Sequence, residues 1–248
     1  MADISAATVM KLRKMSGQGM MDCKKALGET NGDLDAAMQL LRKKGLATLE
    51  KRAGRDTSEG RILCSVSDDG KTGVMVSLCC ETDFVAKSDA FIDAAQKLLQ
   101  CGRNASFDTG GEALLEAEID GRKFSDILTD TVSKTGEKTE VGDYIRFTVP
   151  GTGVIGAYVH FNNKVGAMVE IETSSDDVAG KVKTAADEIC MHITAMNPAS
   201  LDRDSFDPAV IERERAAAAE QVQNKPAEII EKIVDGKIAK FLKENCLV

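Results

Sequence analysis

The sequence predicts an α+β protein: a three-helix N-terminal bundle, two duplicated lobes of antiparallel sheet plus helix, and an antiparallel helical hairpin. Three observations carry this expectation. Capped apolar stripes at helical spacing occur three times within the first 45 residues. A two-strand-and-helix pattern recurs: Gly60 and Gly73 stand thirteen apart, as do Gly153 and Gly166. A shift of 93 carries Ile62 onto Ile155, Val76 onto Val169, Leu78 onto Ile171 and Val85 onto Val178. Two amphipathic stretches near the end are parted by Asn224-Lys225-Pro226, a short turn. The implied divisions are residues 1–53, 54–142 and 143–248, with the helical hairpin at about 208–245.

Ser5 is a good N-cap for the first helix, Ile4 and Val9 can staple it, Val9 and Leu12 continue its stripe, and Gly17 supplies a stop. Asp22 is expected to cap a second helix reaching about Leu27. Asp33 caps a third, with Leu34, Met38 and Leu41 on one face and Gly45 after it. Such a bundle has a small core and is similar to the ubiquitin-associated fold. Between the first two helices, Gly17-Gln18-Gly19-Met20-Met21 reads as a loop. Its soft Met side chains either close the bundle's core or meet a partner, and one inward with one outward is expected.

Residues 46–58 read as a charged linker. Residues 61–67 and 74–80 alternate as strands of a hairpin turned at Asp68-Asp69-Gly70. Ser88 caps a helix with Phe91, Ala94, Ala95, Leu98 and Leu99 on one side. Helical patterns follow near 112–119 and 124–132, then a strand over 144–149. The second copy's helix covers about 178–196, with Val182, Ala185, Ile189, Ile193 and Met196 expected inward and His192 at the edge of that stripe. Pro208 opens the first helix of the terminal pair. Pro226, at N1, opens the second, with Ile229, Ile230, Ile233 and Ile238 as its apolar set.

Composition narrows the function. Forty acidic against thirty-two basic side chains give a net charge of −8, which argues against a phosphate-backbone binder, so no direct nucleic-acid contact is expected. Arg42, Lys43, Lys44, Lys51, Arg52 and Arg55 form one basic stretch, read as a solvated helix end and linker in preference to an RNA contact. Seven Cys occur without a paired framework, Cys79-Cys80 is no CxxC, and His160 and His192 are the only histidines. Reduced thiols in a cytoplasmic setting are therefore expected, and neither metal nor cofactor. No stretch approaches a membrane span, and Met1-Ala2-Asp3-Ile4 does not open a signal peptide. Gly151-Thr152-Gly153 lacks the Gly-Lys-Ser/Thr ending of a phosphate loop. No triad or paired carboxylates suggest covalent catalysis.

The most informative stretch follows the buried run 74–80. Thr82-Asp83-Phe84-Val85 puts a benzyl ring beside a carboxylate at a strand-to-helix turn. Either Phe84 folds back under the next helix beside Phe91, with Asp83 capping that helix, or it is an anchor for another protein's pocket. The second copy retains the turn but has Asp177 where Phe84 stands, which argues that such a unit can fold without the ring.

Ser77-Leu78-Cys79-Cys80-Glu81-Thr82-Asp83-Phe84-Val85 resembles a signature of the elongation factor Ts family. Leu12-Arg13-Lys14-Met15-Ser16-Gly17-Gln18-Gly19-Met20-Met21-Asp22-Cys23-Lys24-Lys25-Ala26-Leu27 resembles its other signature. The resemblance covers most of the chain. It implies a guanine nucleotide exchange factor, not an enzyme, whose partner is the translational GTPase elongation factor Tu in GDP-bound and nucleotide-free forms. By the same resemblance Asp83 and Phe84 disturb the partner's Mg²⁺ site, with Thr82 and Val85 holding the turn. Leu12, Arg13, Met20, Met21 and Lys24 would grip the GTPase through the bundle, and His192, which by its place on the helix reads equally as a structural histidine satisfied by a carbonyl, would press a second point. The last two helices match the family's protruding coiled coil, and a homodimer or a 2:2 complex with the partner is compatible with the pattern. A redox or metal enzyme using the thiols, and a ubiquitin-like or RNA-binding adaptor built on the bundle, are the competing readings. Thiol titration with metal analysis, and ligand binding by the bundle alone, separate them.

Overall fold

The computed structural model describes residues 4–222 and 226–248. Asn224 and Lys225, read as the turn between the last two helices, lie outside the described residues, as do Met1, Ala2 and Asp3. The chain forms two compact units, one reaching to Cys190 and the other Met191–Val248. Helices and small antiparallel sheets make it α+β.

The first unit begins with α1 (Ala6–Ser16), α2 (Met20–Glu29) and α3 (Leu34–Arg52). Ser5 caps α1 by accepting from the Thr8 N–H, and Gly17 ends it in the left-handed region at φ 70°. Asp33 caps α3 through the Asp35 and Ala36 amides. Val9, Leu12, Cys23, Ala26, Leu27 and Leu41 close the core among these helices. Two sequence expectations are corrected here. Gly19, not Asp22, is the N-cap of α2, with Asp22 three residues in, where its charge suits the helix start. And α3 runs through Gly45 into the supposed linker. A Cβ at Gly45 would stand 2.9 Å from the Thr129 carbonyl oxygen, so the glycine permits close approach and does not stop the helix.

Next come β1 (Glu59–Val66) and β2 (Thr72–Cys80), the one-turn helix α4 (Asp83–Ala86) and α5 (Asp89–Asn104). A 3-10 turn (Gly111–Glu116) and a small hairpin, β3 (Glu118–Ile119) with β4 (Arg122–Lys123), replace the helix expected near 112–119. After α6 (Phe124–Thr135), β5 (Thr139–Thr148) adds to the β2 edge, giving the order β1-β2-β5. The strand starts earlier than its apolar alternation suggested, and Ser77 accepts the Asp143 N–H at 2.7 Å where the register shifts. Phe91, Ala94, Leu98, Phe124, Val74, Val76 and Leu78 fill the core between this sheet and its helices.

The duplication is visible in the ladders. β6 (Gly153–Val159) pairs with β7 (Gly166–Glu172), and α7 (Asp176–Met196) follows. Gly60 faces Cys79 and Val66 faces Gly73; in the second copy Gly153 faces Glu172 and Val159 faces Gly166, the same register. The inward face of α7 is Ala179, Ala186 and Cys190, whereas Ala185, Ile189 and Met196 are exposed, which corrects the expected stripe. The reason is a backbone-level contact: a Cβ at Gly156 would meet the Ala186 carbonyl at 2.6 Å, so the helix must present its smallest side chains to β6.

In the second unit, α8 (Pro208–Glu220) and α9 (Ala227–Asn245) pack through Ala218, Val234, Ile238 and Leu242. Phe206 meets Phe241 edge-on, with ring centroids 5.5 Å apart. Pro226 stands at the N-cap of α9 and not at N1, and Ile229 is exposed.

Candidate functional site

The chain leaves β2 at Cys80, and two carboxylates receive it. Glu81 accepts two bonds from Arg52 Nη1, at 2.7 and 2.9 Å, and one from the Lys138 N–H at 2.7 Å. Thr82 donates its N–H and its hydroxyl to Glu137, at 3.0 and 2.8 Å. Thr82 is then the N-cap of α4, its Oγ1 accepting the Val85 N–H at 3.4 Å. Val85 and Ala86 point inward and are buried. Ser88 donates to the Val85 carbonyl at 2.8 Å and caps α5, which ends the first turn after four residues.

That break separates the two copies. Lys181 occupies the place of Ser88, so nothing recaps the chain and α7 is continuous from Asp176. In the first copy the isolated turn pushes Phe84 out, and its ring is 82 % exposed. Phe91, seven residues on, is fully buried. The reading in which Phe84 folds back beside Phe91 is therefore overturned, as is capping of α5 by Asp83. Instead Asp83 accepts from Lys87 Nζ at 2.7 Å. That ammonium holds the Asp83 carboxyl below its usual range, so it is ionised beside the ring.

On the bundle, Met20 is 46 % and Met21 74 % exposed, both in the first turn of α2. This corrects the expected inward–outward split: Val9, Leu12, Cys23 and Leu27 close the core without either Met. Arg13 and Lys24 are exposed as well. Leu12 is fully buried, so it supports this surface from beneath and offers no side chain to a partner.

A family model described as Elongation factor TS matches residues 81–248, a span that opens at the Phe84 turn. The chain belongs to the elongation factor Ts family. It is 42 % identical to an Elongation factor Ts from a Nitratiruptor species, over 99 % of this chain and 81 % of that one. The Elongation factor Ts of Clostridium acetobutylicum is 40 % identical over 99 % of this chain and 80 % of its own. That of Desulfovibrio desulfuricans is 42 % identical over this whole chain and 86 % of its own. Membership of the elongation factor Ts family makes the protein a translation elongation factor.

Other residues sort against that family background. His192 lies in the second unit, exposed, on the wall of a cavity of about 360 Å³ shared with Met196, Lys240, Lys243, Glu244 and Cys246. His160 is held by its neighbour, with Tyr158 Oη 2.8 Å from its Nδ1. Burial pushes the Cys80 thiol up to about 12 and the Cys64 thiol to about 11, which makes these two poor nucleophiles. Among the described residues no cluster of three His, Cys, Asp or Glu is placed to hold a metal, and no helix is long and apolar enough to cross a membrane.

Sequence reasoning missed Phe161, 87 % exposed on the tip between β6 and β7. Its signal was the same as that of Phe84, an aromatic in a polar turn. The tip is tied to β1, since Ile62 N–H donates to the Asn163 carbonyl at 2.7 Å and Lys164 donates to Glu59 at 2.8 Å.

Acid should test the base of the turn. The Lys138 amide and the Arg52 guanidinium hold Glu81 below its ordinary 4.5. A depressed folded value contributes stability that is full above the unfolded value and lost as pH falls through the folded one. Glu81→Gln is therefore expected to lower stability at neutral pH and to flatten the decline below about pH 4.5, read by melting between about pH 3 and about pH 7.

Proposed function

We propose that this chain is the guanine nucleotide exchange factor of elongation factor Tu. It binds the GDP-bound GTPase and favours the nucleotide-free state, so by linkage GDP must bind more weakly in its presence. A GTPase holds its diphosphate largely through Mg²⁺ and the phosphate loop, and no covalent step is needed to release it. Phe84 is the wedge that enters the partner beside the Mg²⁺ site, and Asp83 disturbs the polar contacts there. Dislodging the ion leaves the phosphate charges less compensated, GDP leaves and GTP rebinds. Thr82 and Val85 hold the turn.

The exposed ring of Phe84, on a turn whose Thr82, Val85 and Ala86 are committed to the protein, carries this reading. Met20, Met21, Arg13 and Lys24 form an accessible surface on a bundle like the ubiquitin-associated fold, suited to gripping a helix of the partner and supplying affinity. His192 presses a second point on the partner, relayed to its phosphate loop. α8 and α9 act as the family's antiparallel coiled coil. The protein works in the cytoplasm without cofactor, membrane or direct nucleic-acid contact, as a homodimer or in a 2:2 complex with the GTPase. The deciding experiment is release of fluorescently labelled GDP from elongation factor Tu. Release faster with this chain than without it supports the reading, and an unchanged rate overturns it.

A further inference from the structure

We infer that Glu137 is a positioning residue for the turn that carries Phe84, an inference that rests on the exchange reading above. A single helical turn makes too few hydrogen bonds to hold its own direction. That direction is set at Thr82, the N-cap, whose backbone angles aim α4 as it leaves the strand. Glu137 grips this residue twice, taking its N–H at 3.0 Å and its hydroxyl at 2.8 Å. Bonds to an ionised acceptor are the stronger kind, and two of them fix an orientation that one would leave free to rotate.

The grip is reciprocal along the chain. Glu137 takes the N–H of Thr82, while Glu81 takes the N–H of Lys138 at 2.7 Å, so residues 81–82 and 137–138 bracket each other. Gly136, left-handed at φ 72°, ends α6 and delivers Glu137 to this place. Arg52, the last residue of α3, closes the bracket from the bundle side through Glu81. The turn is thus ordered before any partner arrives. A wedge held in its bound direction loses little freedom on docking, and because the bundle supplies the affinity in the exchange reading, that saving falls on the step within the complex that expels nucleotide.

The test uses the full chain and two readouts. First, the chain has no Trp, so Phe84→Trp places a single fluorescent reporter on the turn. Its time-resolved anisotropy in the free protein should show added fast motion when Glu137→Ala is introduced. Second, on the Phe84 background, Glu137→Ala should lower the maximal rate of labelled GDP release about ten-fold and move the half-saturating concentration less than about two-fold. Glu137→Gln keeps one acceptor oxygen and should recover part of that rate; it also serves as the variant if Glu137→Ala melts early. Unchanged anisotropy would overturn the inference. So would added motion without a fall in maximal rate, or a loss confined to half-saturation. If the unsubstituted chain fails to accelerate release, the exchange reading falls instead, and the reporter still decides whether Glu137 holds the turn.

Discussion

Replacing Phe84 by alanine is expected to remove most of the stimulated GDP release while leaving the free protein as stable as before. The ring makes almost no internal contact, being 82 % exposed, so its loss opens no cavity. Exposed substitutions of this kind usually change stability by no more than about 0.5 kcal/mol. The same ring seated in a partner's pocket is a central aromatic anchor, whose truncation costs about 2–4 kcal/mol of complex stability. Labelled GDP release and a melting curve, run on the same preparation, check both halves. Normal melting with a steep loss of release is the expected pair of results. Undiminished release would remove Phe84 from the mechanism.

Phe91→Ala is expected to do the reverse. Phe91 is fully buried between α5 and the first sheet, among Val76, Leu78, Leu98 and Phe124. Truncating a phenylalanine there costs about 3–5 kcal/mol through lost transfer energy and the cavity left behind. In a unit of this size each kcal/mol shifts the melting temperature by about 2–4 °C. The variant should therefore melt far below the parent. Where it remains folded it should still stimulate release, because the turn's polar bracket does not involve the α5 core. A melting temperature within about 2 °C of the parent would show that the core can collapse around the gap.

These two rings lie seven residues apart, and local sequence treats them alike. What distinguishes them is the cap at Ser88, which splits the turn from the helix, and the inward Val85, which takes the core position the ring would otherwise occupy. The duplicate hinted at this, with Asp177 in place of Phe84, because a position that accepts a charge in one copy need not be core in the other. The Met pair misled for the opposite reason. Gly17 and Gly19 just ahead of the pair made a loop the natural reading, whereas Gly19 caps the helix and both Met stand on its first turn.

Patterns repeated along the chain determined a good deal by themselves. Caps, periodicities and the shift of 93 specify the α+β class, the duplicated hairpins and even their shared register, because each depends on residues near one another in sequence. The two signature stretches likewise pointed to the family. Tertiary structure alone decided the rest. It rotated α7 so that small residues meet Gly156, carried α3 past Gly45, buried Leu12, and exposed Phe161. It also brought Glu137 to Thr82 and Arg52 to Glu81. Such pairings join residues far apart along the chain, and their partners exist only once helix and strand have packed, so no local pattern could announce them.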